Sequence, residues 1–119
     1  MTIRVVKVNN LRTPEQRAGV CYIGRAFAGW PASPWGNPFK PRPSGFTVER
    51  CLERFRDFAG TAPPEYLADL WEACEHGAKP LGCWCVDADH GDGRPVVCHG
   101  QILAEMLYTQ FVNVMGDLR

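Results

Sequence analysis

The residues of this chain best suited to chemistry lie in two short blocks, Leu81-Gly82-Cys83-Trp84-Cys85 and Cys98-His99-Gly100, which together supply three thiols and an imidazole. Their types allow three uses. As metal ligands, Cys83 and Cys85 stand two apart, so on a strand their side chains share a face. Cys98 and His99 begin the next helix and can fold back to that face. Three thiolates and one imidazole make a usual zinc set, although paired ligands in fingers and ribbons are generally separated by two or more residues. As a nucleophile, Cys98 at a helix N-terminus meets free N–H groups and the positive end of the dipole, which lower a thiol pKa, with His99 beside it as catalytic partner. The same N–H groups suit a phosphate or carboxylate, with Gly100 allowing close approach. As packing, Cys83 and Cys85 simply fill a core, since cysteine is among the most buried residue types. Spacing alone leaves the three uses open. Cys21, Cys51 and Cys74 lie on apolar faces of their own elements and read as core.

Two upstream groups can complete a site. Trp35-Gly36-Asn37-Pro38-Phe39 frames a Gly-Asn-Pro turn with two aromatics. A carboxamide beside aromatic faces suits a planar base or amide; equally, Asn37 can bond its own loop while the aromatics cover the core. Arg25 follows Gly24 at a strand end, where a guanidinium grips a phosphate or carboxylate or joins a surface ion pair. The acidic loop Asp87 to Asp92 has Gly91 where a calcium loop needs its third oxygen ligand and lacks the distal Glu, so it is no EF-hand. His90 there can supply a metal ligand, and His76 reads as a favourable charge near a helix C-terminus. No P-loop, Gly-x-Ser-x-Gly, His-x-Glu deaminase or Rossmann glycine signature occurs.

The elements that must position these groups can be read from periodicity. Ile3, Val5, Val6 and Val8 predict a first strand, and Val20 to Ile23 a second. The stretch from Ala26 to Ser44 carries enough Pro and Gly to exclude helix. Thr47 caps a helix to about Ala59, with Val48, Cys51, Leu52, Phe55 and Phe58 on one face and Gly60 at its end. A second helix begins near Pro64 and runs to a Gly77 cap, with Leu67, Leu70, Trp71 and Cys74 as its stripe. Pro80 to Val86 predicts a strand and Asp87 to Pro95 a loop. A last helix starts near Gly100, carries Ile102, Leu103, Met106, Leu107, Phe111 and Val114 on one face, and closes at Gly116. This pattern predicts an α/β fold, a small, mostly parallel sheet flanked by helices. In such sheets ligands bind beyond the carboxyl ends of the strands, where the cysteine blocks fall.

Composition bounds the rest. A chain of 119 residues, 45% hydrophobic, suits a single compact domain over residues 1–119. Thirteen basic residues balance thirteen acidic ones, which removes the general attraction that drives non-specific nucleic-acid binding. No apolar run approaches the roughly 18 residues of a membrane span. The stretch Met1 to Val8 lacks the apolar core of a signal peptide, so a cytoplasmic location is expected, and six cysteines without a secretion signal read as reduced.

Four blocks in order, Tyr22-Ile23-Gly24-Arg25, Trp35 to Phe39, Leu81 to Cys85 and Cys98-His99-Gly100, resemble an uncharacterised family of bacteriophages and bacteria, a domain of unknown function. The resemblance covers Val20 to Leu107. It implies a shared small α/β fold, host cytoplasm for a phage-encoded member, and no assigned reaction. The family's Asp after Cys-His-Gly is Gln101 here, and the loop between Cys85 and Cys98 is longer than in the family.

The expected site therefore joins Arg25, Trp35, Asn37 and Gly100 as ligand-binding groups with Cys98 and His99 as catalytic ones, in a pocket for a small anionic ligand, foremost a nucleotide. The alternative is a non-enzymatic module stabilised by zinc on Cys83, Cys85, Cys98 and His99, a phage or bacterial accessory protein that binds a protein partner.

Overall fold

A computed structural model describes residues 2–40 and 45–113. Its centre is β1 (Arg4–Lys7), whose Val5 side chain is buried. On one side β1 pairs in parallel with β3 (Leu81–Cys83), which pairs in parallel with β2 (Cys21–Tyr22); on the other it pairs antiparallel with β4 (Ala88–Asp89). The order is β2-β3-β1-β4. The α/β class is as expected, but the sheet is mixed rather than mostly parallel. The difference arises in the Asp87–Pro95 segment, read as loop. Its first residues turn back beside β1, and an antiparallel neighbour needs only a short connection where a parallel one needs a crossover. Arg4 Nε reaches Asp89 Oδ1 at 3.1 Å across that pair.

The helices follow the capping logic closely. Thr47 caps α2 (Val48–Thr61) by accepting from Arg50 N–H at 3.1 Å, and Pro64 opens α3 (Pro64–Ala73). Gly60 does not end α2, which runs one residue further. α3 stops at Ala73, short of the expected Gly77 cap, because Glu75, His76 and Gly77 all take positive φ and turn the chain out of the helix. His76 Nε2 lies 2.9 Å from Glu72 Oε1, with its ring stacked on Trp71. A five-residue helix unread in the sequence, α1 (Pro14–Ala18), precedes β2 and buries nothing.

α4 (His99–Leu107) lies against β1 and β3, and α2 and α3 pack on it. Phe55, Leu70, Leu81, Ile102, Leu103 and Leu107 meet there in one fully buried cluster. A π-helical turn, Tyr108–Asn113, continues α4 and stacks Tyr108 on His90 at 3.9 Å and Phe111 on Trp71 at 5.1 Å. Val114, Gly116 and the Pro41–Ser44 part of the early loop lie outside the described residues. Among the described residues no helix is long and apolar enough to cross a membrane.

Candidate functional site

At the carboxyl ends of β2 and β3 the chain has to let go of the sheet, and the groups freed there line a cavity of about 500 Å³. Ile23 N–H still donates to Gly82 O at 3.0 Å, and Gly24-Arg25 then turns away. Gly24 is required by close approach: a Cβ there would collide with Tyr22 Oη and stand 2.6 Å from Cζ. The Tyr22 ring cannot yield easily. It stacks on Trp30 at 4.6 Å, its hydroxyl donates to Arg25 O, and it accepts from Trp84 Nε1–H at 2.8 Å. The Trp35–Phe39 loop folds onto the same turn: Ser33 N–H donates to Gly24 O at 3.0 Å and Arg25 Nε to Asn37 O at 3.2 Å.

Arg25, Asn37, Cys83, Cys85 and His99 all line the cavity, so the sequence blocks do converge. Asn37, only 8% exposed, accepts from Phe39 N–H through Oδ1 at 2.8 Å, which leaves its amide nitrogen as the group it offers to the cavity. Trp35 is not in the wall. It is 9% exposed, packed in the core, and its Nε1–H donates to Tyr66 O at 2.9 Å. The aromatic wall is built from Tyr22, Phe27 and Trp84 instead, with Phe27 63% exposed and edge-on to Trp84 at 5.2 Å. These three, and Lys40, escaped the sequence reading. A Phe two residues past the Gly-Arg turn and a Trp between two cysteines were the available signals.

The strand expected over Pro80–Val86 ends at Cys83, and the chain bends at Trp84-Cys85. The bend leaves Cys83 buried and turns Cys85 outward into the cavity. Cys98 is the N-cap of α4, 2% exposed; its Sγ accepts from Gly100 N–H at 3.4 Å. That N–H is therefore already used, and Gly100 is buried away from the cavity, packed on Ile23 and Val5. Gln101 completes the cap: Oε1 accepts from Val97 N–H at 2.7 Å and Cys98 N–H at 3.1 Å, while Nε2 donates to Pro95 O at 3.2 Å. A carboxylate at this position would accept the same two bonds and lose the third.

The three thiols interact and divide their protons unequally. The neighbouring Cys83 and then Cys98 thiols, with the Arg25 charge, pull the Cys85 pKa well below the thiol range. Cys98 moves the other way, raised by Cys83 and Cys85 and by its burial, and Cys83 is raised chiefly by Cys85. The sequence suggested a reactive thiolate at Cys98; Cys98 is buried, and Cys85 is the exposed thiol. Burial lowers the His99 pKa, so the ring is neutral. Its Nε2 lies 2.8 Å from Ile23 O, and a carbonyl can only accept, so Nε2 carries the proton and the Nδ1 lone pair faces Cys98 Sγ at 3.8 Å. Among the described residues, no three His, Cys, Asp or Glu side chains are grouped so as to hold a metal ion.

No curated protein and no solved structure matches the chain. A family model does, over residues 6–109, a span that holds every cavity-lining side chain described above. The chain belongs to the family described as domain of unknown function DUF4326.

Proposed function

We propose that the cavity beyond β2 and β3 binds a small anionic ligand with a planar part, a nucleotide or nucleotide-like metabolite, for recognition or processing. The observation that carries the reading is the lining: Arg25 and Lys40 face one space with Asn37, the Phe27–Trp84 edge pair and the Cys85 thiol. The volume suits a small-molecule site, and apolar walls with a few convergent polar groups are the usual form of one. The Arg25 guanidinium in this wall is the group suited to grip a phosphate or carboxylate. Arg25, held at Nε by Asn37 O, keeps its terminal nitrogens for the ligand. The Asn37 amide nitrogen donates to a base or carbonyl, and the aromatic pair supplies a stacking face.

A thermal-shift screen of the full chain against nucleotides tests this. A ligand at one hundred times its Kd stabilises by about 2.7 kcal/mol. The shift should vanish in Arg25→Ala and shrink in Asn37→Ala. No shift with any nucleotide, or an undiminished shift in Arg25→Ala, would sink the reading.

A further inference from the structure

We propose that the cavity selects a nucleotide whose base carries an oxo group, as in hypoxanthine or uracil, over the amino counterpart, adenine or cytosine, and that Asn37 makes the choice. This rests on the nucleotide reading of the same cavity and narrows it. Asn37 is 8% exposed, and its amide is not free to turn over. Phe39 N–H needs an oxygen, and it finds Asn37 Oδ1 at 2.8 Å; the flipped amide would set N–H against N–H. The amide nitrogen therefore has a fixed direction, and it has no partner among the described residues. Nor is it sealed in: among the described residues, Tyr66 Oη is the one buried side-chain polar atom left without a bond. Asn37 accordingly turns a donor, and no acceptor, to the cavity. An amide that both gives and takes hydrogen bonds suits adenine; this one can only give.

The remaining walls favour the same choice. Among the described residues, the cavity holds one other side-chain oxygen, Tyr22 Oη, and it already donates to Arg25 O and accepts from Trp84 Nε1–H at 2.8 Å. The charged groups, Arg25 and Lys40, are donors. An exocyclic amino group would thus give up the water that accepted its protons and meet a wall short of oxygen. An oxo oxygen in the same place offers lone pairs to the Asn37 amide. A ring nitrogen flanking the amino group is also an acceptor, but the amino protons would then stand against the Arg25 guanidinium. That group is held beside Asn37 by the bond from its Nε–H to Asn37 O at 3.2 Å.

The test is calorimetric titration of the full chain with two matched pairs: inosine monophosphate against adenosine monophosphate, and uridine monophosphate against cytidine monophosphate. Each pair shares its phosphate and sugar, so the ratio of dissociation constants reads the base alone. The oxo member should bind roughly 10-fold or more tightly in at least one pair, and the amino member should be preferred in neither. Asn37→Asp keeps one oxygen for Phe39 N–H and turns a second oxygen to the cavity. Its charge should weaken both members of a pair alike, while the ratio falls to unity or inverts. Equal affinity within both pairs, preference for an amino member, or a wild-type ratio preserved in Asn37→Asp would each overturn the proposal and leave the cavity a nucleotide site. Binding by no member of either pair overturns the nucleotide reading and this one with it. The wild-type ratio needs no substitution, so a variant that fails to fold or to bind leaves the proposal open to refutation.

Discussion

Gly100→Ala sets two effects of opposite sign against each other. In a helix, alanine is favoured over glycine by up to about 1 kcal/mol, and by roughly half of that so near the N-terminus. The added Cβ, however, would stand 2.9 Å from Ile23 Cδ1 and 3.1 Å from Val5 Cγ1, against roughly 3.5–4.0 Å for comfortable carbon contact. Ile23 is 0% and Val5 1% exposed, so neither can swing into solvent, and the helix start must lift. Overpacking of this kind costs about 1–3 kcal/mol, and lifting also stretches the 2.8 Å bond from His99 to Ile23 O. The net expectation is a destabilisation of about 1–2 kcal/mol, or a Tm lower by roughly 5–10 °C for a domain of this size. Gly60→Ala is the internal control. Gly60 lies in α2, and a Cβ there would meet nothing within 4 Å, so the substitution should raise Tm slightly through helix preference alone. Melting curves of both variants decide. If Gly100→Ala is stabilised as much as Gly60→Ala, the account of Gly100 as a packing residue is refuted, and a role in ligand approach returns.

Three further outcomes are expected. Burial pushes the Cys21 pKa from 9.0 up to about 11, so the folded chain keeps a proton that the unfolded chain releases; the associated stability is complete below pH 9.0 and lost as pH rises through about 11, visible as a Tm that falls there less steeply in Cys21→Ala. Gln101→Ala should destabilise by about 1 kcal/mol as two N–H groups lose their acceptor, whereas Gln101→Glu should melt closer to wild type; equal losses in both would show that the Pro95 bond, not the cap, matters. A chelator should leave Tm unchanged, given how the cysteine and histidine side chains are arranged; one zinc per chain by elemental analysis, lost together with the fold in Cys83→Ser, would instead establish the zinc-stabilised module.

What was legible in the sequence were the features with a period or a fixed local chemistry. The stripes of α2 and α4 repeat over several turns, Thr47 and Pro64 mark starts, and the four blocks around Gly24, Asn37, Cys83 and His99 do meet beyond the strand ends. The failures were short or depended on tertiary placement. β4 is two residues long, too short for alternation to show, and it converts the sheet from parallel to mixed. α1 has no buried face, hence no stripe, although Thr13-Pro14-Glu15-Gln16 does carry a capping box that could have revealed it. Cys85 was assigned to the face of Cys83 by strand period; a bend one residue past β3 breaks that period and exposes it. Trp35 and Trp84 have similar aromatic side chains, and only the hydrogen-bond partners, Tyr66 O for one and Tyr22 Oη for the other, separate a core anchor from a wall of the cavity.

The bond from His99 Nε2–H to Ile23 O joins the start of α4 to the end of β2, and the Trp84–Tyr22–Arg25 chain joins β3 to the same turn. The ends of β2 and β3 and the start of α4 are thus cross-braced before anything occupies the cavity. Such a rim gives up little conformational freedom when a guest arrives, so the contact energy is not spent on ordering the host. It should consequently discriminate by fit: guests of the wrong outline meet a frame that does not reshape itself, and association should proceed without a slow step of loop closure.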